Sequence, residues 1–310
     1  MLKMRTTIFS LGLLAAAALP MLAQELPNEG PVPTTALVNA EAKGNARLDP
    51  SLLKLQVNGH DAPILGVTPV GAQSTEVAIL IDDGLRSSFS LQLKDVQNFV
   101  TELPPGTKVL VGYMQNGMVR SDGHFSSDHA EVASSLRITM STPGLSASPY
   151  LCLSDFVKRW PSNQPAARMV LMITNGVDPY NGRPSIMNQD SPYVETAQED
   201  AQRAGVAVYS IYFPDAGFRG GYGSFSGQSY LQQVAEATGA QTFNQGSIPP
   251  VSIRPYLKMF QKAIVESYQV NFMVSARHEK ASSLTVIRLK TSQSGIKLHA
   301  PDGVHAGLSE

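Results

Sequence analysis

The 310 residues carry 24 Lys/Arg against 25 Asp/Glu, a formal charge of −1, with 43% of residues hydrophobic and 16% charged. Without a cationic run there is no electrostatic footprint for nucleic acid. The apolar share can bury one large core with at most a small appendage, and no solenoid-type repeat is visible.

The chain opens with Lys3 and Arg5, continues through the apolar run "TIFSLGLLAAAALPMLA", and reaches Ala23 before "QELPNEG". A cationic start, an apolar stretch and a small residue in that order read as a secretory signal peptide, residues 1–23, removed near Ala23. The run is shorter than the ~20 apolar residues of a membrane span. The expectation is a secreted protein, periplasmic or extracellular, with no membrane span after signal cleavage. Cys152, the only cysteine, lies among apolar residues at helical spacing and reads as buried filler.

Residues 24–50 are rich in Pro, Asn and Glu and are expected to form a flexible lead-in. Residues 51–73 form a β segment, with Asn58-Gly59 as a hairpin turn. The stretch 74–82 is a continuous apolar strand. Between 90 and 103, Leu91, Leu93, Val96, Phe99, Val100 and Leu103 share one helical face. A strand at 107–114 and an edge strand at 118–125 follow. Next come a helix at 128–138 capped by Asp128 and a helix at 148–160 with Ser148 as cap. A strand at 167–174, a helix at 191–205 and a strand at 206–213 lead to a Gly-rich loop, 214–226. Helices are expected at 227–239 and 251–268 around a short strand, and residues 268–310 are a β tail with two strands.

Alternating strands and helices predict an α/β fold: a Rossmann-like, mostly parallel central sheet with helices on both faces, plus short flanking β segments. In such sheets the chemistry collects beyond the carboxyl ends of the strands. Three strand ends therefore matter: Asp82-Asp83, "TNGVD" (174–178) and "PDAGFRGGYGSF" (214–225).

The stretches "AILID", "SPYLCLS", "MITNG", "LQQVAEATGAQTF" and "SYQVNFMV", in this order, resemble the von Willebrand factor type A domain in its secreted bacterial subgroup. The resemblance runs over roughly residues 50–290 and implies such a domain at 74–267. It also implies a metal-ion-dependent adhesion site: Asp-x-Ser-x-Ser after the first strand, a Thr from a second loop and an Asp after the fourth strand. Those oxygens suit Mg²⁺, and the open position takes a carboxylate from a protein partner. Transferred to this chain, Asp82 takes the leading Asp, Gly84 and Arg86 replace the two Ser, Ser148 falls at the Thr, and Asn175 replaces the last Asp.

The set is degenerate, so no tight metal site and no cofactor are expected; if Mg²⁺ binds, Asp82, Ser148 and Asn175 hold it. Arg86 either pairs with Asp82 in the ion's place or points to solvent. The reading that follows is a non-enzymatic, secreted module. It binds an unidentified protein partner through Asp82, Asp83, Gly84, Arg86, Ser148, Asn175, Phe218, Tyr222 and Phe225, the aromatics lying on or beside the Gly-rich loop. A Mg²⁺-dependent adhesin with relaxed ligands is the alternative. An exported hydrolase using Asp82 and a loop histidine is a third, although no nucleophile–base pair is visible.

Overall fold

The computed structural model describes residues 30–44, 46–71, 75–141, 148–182, 190–214, 221–246, 248–275 and 284–307. Four strands come first: β1 (Pro31–Ala42), β2 (Leu53–Val57), β3 (His60–Ala62) and β4 (Ile64–Pro69). β2 and β3 form the expected hairpin, with Asn58 (φ 49°) and Gly59 (φ 80°) in its turn. β1 overturns the flexible lead-in assigned to 24–50: a twelve-residue strand lies inside that span. Apart from Val38 its buried residues are small or polar (Thr34, Ala36, Asn39, Ala40, Ala42), so the segment is buried while its sequence looks soluble. Residues 24–29 fall outside the described residues.

The α/β part runs β5 (Thr75–Asp82), α1 (Leu93–Glu102), β6 (Lys108–Gln115), β7 (Met118–Ser121), α2 (His129–Ser135), α3 (Pro149–Lys158) and β8 (Ala167–Thr174). It continues through α4 (Pro192–Arg203), β9 (Val206–Tyr212), α5 (Gly221–Ala237), β10 (Thr242–Phe243) and α6 (Arg254–Val265). The six strands stand in the order β10-β9-β8-β5-β6-β7. All neighbours are parallel except β7, an antiparallel edge.

β5 is apolar throughout because both faces are covered. Val77, Ile79 and Ile81 pack with Val96, Phe99, Leu257 and Phe260 of α1 and α6. Ala78 and Leu80 point the other way, into Leu153, Phe156, Val194 and Leu231 of α3, α4 and α5. Buried on that side, Cys152 has its thiol pushed up to about 12, first by burial and then by the charge of Asp82. From β5 the chain winds outward through β6 and β7, then returns to β8 on the other side. The β5/β8 boundary is therefore the switch point where a doubly wound sheet opens a crevice.

The tail carries more than the two expected strands: β11 (Ser267–Ser275), β12 (Thr285–Thr291), β13 (Ile296–His299) and β14 (Gly303–Val304). With the first four strands they build two four-stranded sheets, β13-β1-β11-β4 and β14-β12-β2-β3. Ala36, Val38, Leu55, Val270, Phe272, Val274, Ile287 and Val304 form the core between them. Three bonds seat this sandwich on α6: Asn39 Nδ2 donates to Ala263 O (3.0 Å), Ala40 N to Glu266 O (2.9 Å) and Lys262 Nζ to Ala42 O (2.9 Å). Gly239, after α5, has φ +73°, and a Cβ there would stand 2.6 Å from Pro301 N; only glycine lets the tail cross so closely.

Candidate functional site

Asp82 ends β5 and Asp83 starts the turn after it, both buried. Asp82 Oδ1 accepts from Gly84 N (2.8 Å), closing a tight turn, and Oδ2 accepts from the Thr174 hydroxyl (2.7 Å) at the end of β8. Thr174 Oγ1 in turn accepts from Gly176 N (3.1 Å). The β5/β8 crevice is thus laced shut by Asp82–Thr174–Gly176. Thr174 was not among the sequence candidates, although it is the last residue of "MIT", one strand away from Asp82.

Asp83 faces different neighbours. Arg137 Nη1 donates to its Oδ1 (2.7 Å) as an ion pair, Met140 N adds a second bond (3.0 Å), and Ser141 Oγ donates to Oδ2 (2.8 Å). Burial is the largest single influence and opposes ionisation. The bonds from Arg137, Met140 and Ser141, with the Arg137 charge, outweigh it and hold the Asp83 carboxyl below the usual range. Arg137 also lies 3.8 Å over the Tyr113 ring, while its backbone N–H donates to the Tyr113 hydroxyl and its carbonyl accepts from that hydroxyl. Thr139 Oγ1 donates to Leu85 O (2.8 Å). Asp83 therefore pins residues 137–141 over the end of β5.

Arg86 forms none of the ion pairs among the described residues. It precedes a short helical turn, half-buried, and the carboxylate–guanidinium pair at this face is Asp83–Arg137, set up by a residue 54 positions along the chain. Ser148 stands at the N-terminus of α3 as expected but makes no side-chain cap; its Oγ is fully buried and has no hydrogen-bond partner among the described residues. Asn175 is buried, with Oδ1 accepting from Val177 N (3.0 Å). Tyr150, two residues after Ser148, donates to Gly176 O (2.7 Å) and ties the two loops together.

The Gly-rich stretch differs from the expected loop. α5 begins at Gly221, six residues before the expected start at 227, and Gly227 brings it against the end of β8. Gly227 touches that strand end so closely that a Cβ would stand 2.1 Å from Asn175 O. Phe225 is exposed on this helix. Phe218 and the side chain of Tyr222 fall outside the described residues.

No protein-family model matches the chain, and no curated protein matches it. Solved structures do. The von Willebrand factor type A protein from Catenulispora acidiphila is 13% identical, over 88% of this chain and 73% of its own, with a TM-score of 0.44. An aerotolerance-related membrane protein from Bacteroides fragilis is 13% identical, over 61% and 98%, at 0.42. Proximal thread matrix protein 1 from the mussel byssus, whose adhesion-site motif holds zinc, is 13% identical over 67% and 50%, at 0.43. The chain is similar to von Willebrand factor type A proteins. Identity and TM-score are low in each case.

Within the resemblance, the donor set at this type A position is sparse. Gly84 has no side chain, Arg86 brings a cation, Asn175 spends its carbonyl on Val177, and both Asp82 oxygens accept from the fold's own donors. Ser148 Oγ alone is uncommitted. One buried carboxylate and one hydroxyl are fewer oxygens and less charge than the shell of about six oxygens that a divalent cation takes, so waters would have to supply the rest.

Proposed function

We propose that the chain is a secreted, non-enzymatic protein-binding module that uses the carboxyl-end face of its parallel sheet without a bound metal. One observation carries the reading. Of the twelve large apolar side chains exposed among the described residues, seven lie on segments at this face: Leu91, Ile138, Met140, Tyr180, Phe225, Ile248 and Val251. Apolar side chains gathered on one face favour a protein contact.

The segments bearing them are held rather than loose. Ile138 and Met140 sit on the stretch pinned by Asp83. Leu91 and Val251 flank Gln92, whose side chain donates to Val251 O (3.2 Å) and accepts from Ile253 N (3.0 Å). The carboxylates at the centre serve as internal clamps, a structural use of charge rather than an acid–base one.

The reading is tested by placing a photo-reactive amino acid at Met140, Val251 or Val265, the last on the exposed C-terminal end of α6. Met140 and Val251 are expected to crosslink to the same protein in envelope or culture fractions. Crosslinking from Val265 alone, or from none of the three, sinks the proposal.

The unpartnered Ser148 hydroxyl favours a second reading, Mg²⁺ binding beside Asp82 with water supplying the missing ligands. Titration calorimetry with Mg²⁺ and Mn²⁺ decides it. Micromolar binding lost in Ser148→Ala would establish this second reading over the metal-free one.

A further inference from the structure

The sequence shows no cationic run, yet the sandwich assembles a cationic face. β2 and β12 pair antiparallel with Lys54 directly opposite Lys290 and Gln56 opposite Arg288, residues more than 230 positions apart. Alternation along β12 sends Val286, Arg288 and Lys290 outward, and all three are exposed, as is Lys54. Side chains directly opposite in an antiparallel pair have Cβ atoms about 5 Å apart, and like charges there repel.

Carboxylates do border the face, Asp61 directly opposite Gln56 on β3, but none forms an ion pair with the three cations among the described residues. Asp61 accepts from Gln56 Nε2 (3.0 Å), and Asp49 accepts from Ser51 N and Oγ. Asp302, which Arg288 does stabilise, is partly buried and close to Glu236.

We propose that this face binds an anionic lipid surface, the charge of Lys54, Lys290 and Arg288 meeting acidic headgroups while Val286 rests on the interface. Shape and composition favour lipid over a small anion. The three cations stand on the exposed side of a pleated sheet, where a lone phosphate would meet few donors at once. An extended sheet of headgroups meets all three cations together. Val286, 60% exposed on the same face, suits a boundary with an apolar interior. The surface is separate from the apolar face proposed for protein binding, so either assignment can fail without the other.

The test is co-sedimentation of the purified chain with phosphatidylglycerol/phosphatidylcholine vesicles against pure phosphatidylcholine vesicles, with dextran sulfate as a soluble polyanion in a third arm. Each cation near an anionic membrane adds a factor of roughly five to partitioning. The double variant Lys54→Gln/Lys290→Gln is therefore expected to bind anionic vesicles roughly 25-fold less tightly. Binding should also weaken steeply between 0.1 and 1 M salt. The apolar N-terminal run is common to both proteins and cancels in the comparison. Both substitutions are exposed, and an unchanged or raised melting temperature confirms that the variant is folded. Equal binding to both vesicle types, no loss in the variant, or capture by dextran sulfate but not by vesicles would each overturn the proposal.

Discussion

The parallel sheet and the β-sandwich are built by opposite strategies. In the sheet, β5 pairs with β6 and β8 with β9 through single helical crossovers, and these four strands are visible apolar runs. In the sandwich, β1 pairs with β11 from Pro31↔Ser275 to Asn39↔Ser267, and β2 pairs with β12 from the far end of the chain. The lesson is that an α/β core announces itself locally, whereas a sandwich whose paired strands come from distant parts of the chain is defined only by tertiary contact. The bonds from β1 to α6 then make the two parts depend on each other.

The largest expected effect breaks that dependence. Phe272, fully buried in β11, fills the sandwich core; Phe272→Ala is expected to cost about 3–5 kcal/mol. Trp160, the only tryptophan, lies in the α/β core and reports on the other part. If the parts unfold together, urea transitions followed by Trp160 fluorescence and by far-UV circular dichroism both shift to lower denaturant. A shift in circular dichroism with an unmoved tryptophan transition would show two independent units.

A second comparison lies within one turn, between Asp83 and Asp82. Asp83→Ala removes the clamp on 137–141 and is expected to cost about 2–3 kcal/mol, read by chemical denaturation. The pH dependence has a definite sign. A carboxyl lowered in the fold stabilises fully above its unfolded value, 3.8 for Asp, and that stability disappears as pH falls through the lower folded value. Asp83→Asn is therefore expected to lose stability above pH 4 and to flatten the acid limb below it; an acid limb identical to that of the parent would contradict the assignment.

A smaller effect comes from the close approach of α5 to the end of β8. Gly227→Ala forces a methyl against Asn175 O and is expected to cost about 1.5 kcal/mol, measured as a lowered thermal midpoint. The smallest belongs to Arg86. Because Arg86 has no ion-pair partner among the described residues, Arg86→Ser is expected to change stability by less than about 0.5 kcal/mol. A loss above 1 kcal/mol would mean that its guanidinium does answer Asp82 in solution.

Much of the α/β layer was legible because burial on both faces imposes long apolar strands, and amphipathic helices follow from one-sided burial. The Asn58-Gly59 hairpin, the Asp128 cap and the position of the crevice at the end of "AILID" were readable for such local reasons. β1 was not, because a strand filled with Ala, Thr and Asn buries well without looking hydrophobic. The early start of α5 was hidden by glycines, which lower helix propensity but permit the approach to Asn175.

At the site, the pairing was not legible. The residue types at 82, 84, 86 and 175 imply a reduced ligand set only through the resemblance. That Arg137 rather than Arg86 answers the carboxylate, that the carboxylate is Asp83, and that Lys54 stands against Lys290 were decided only by tertiary contact. Local sequence governs backbone preference and the face each side chain takes. Which charges meet depends on strand register and loop return, set by burial summed over the whole fold.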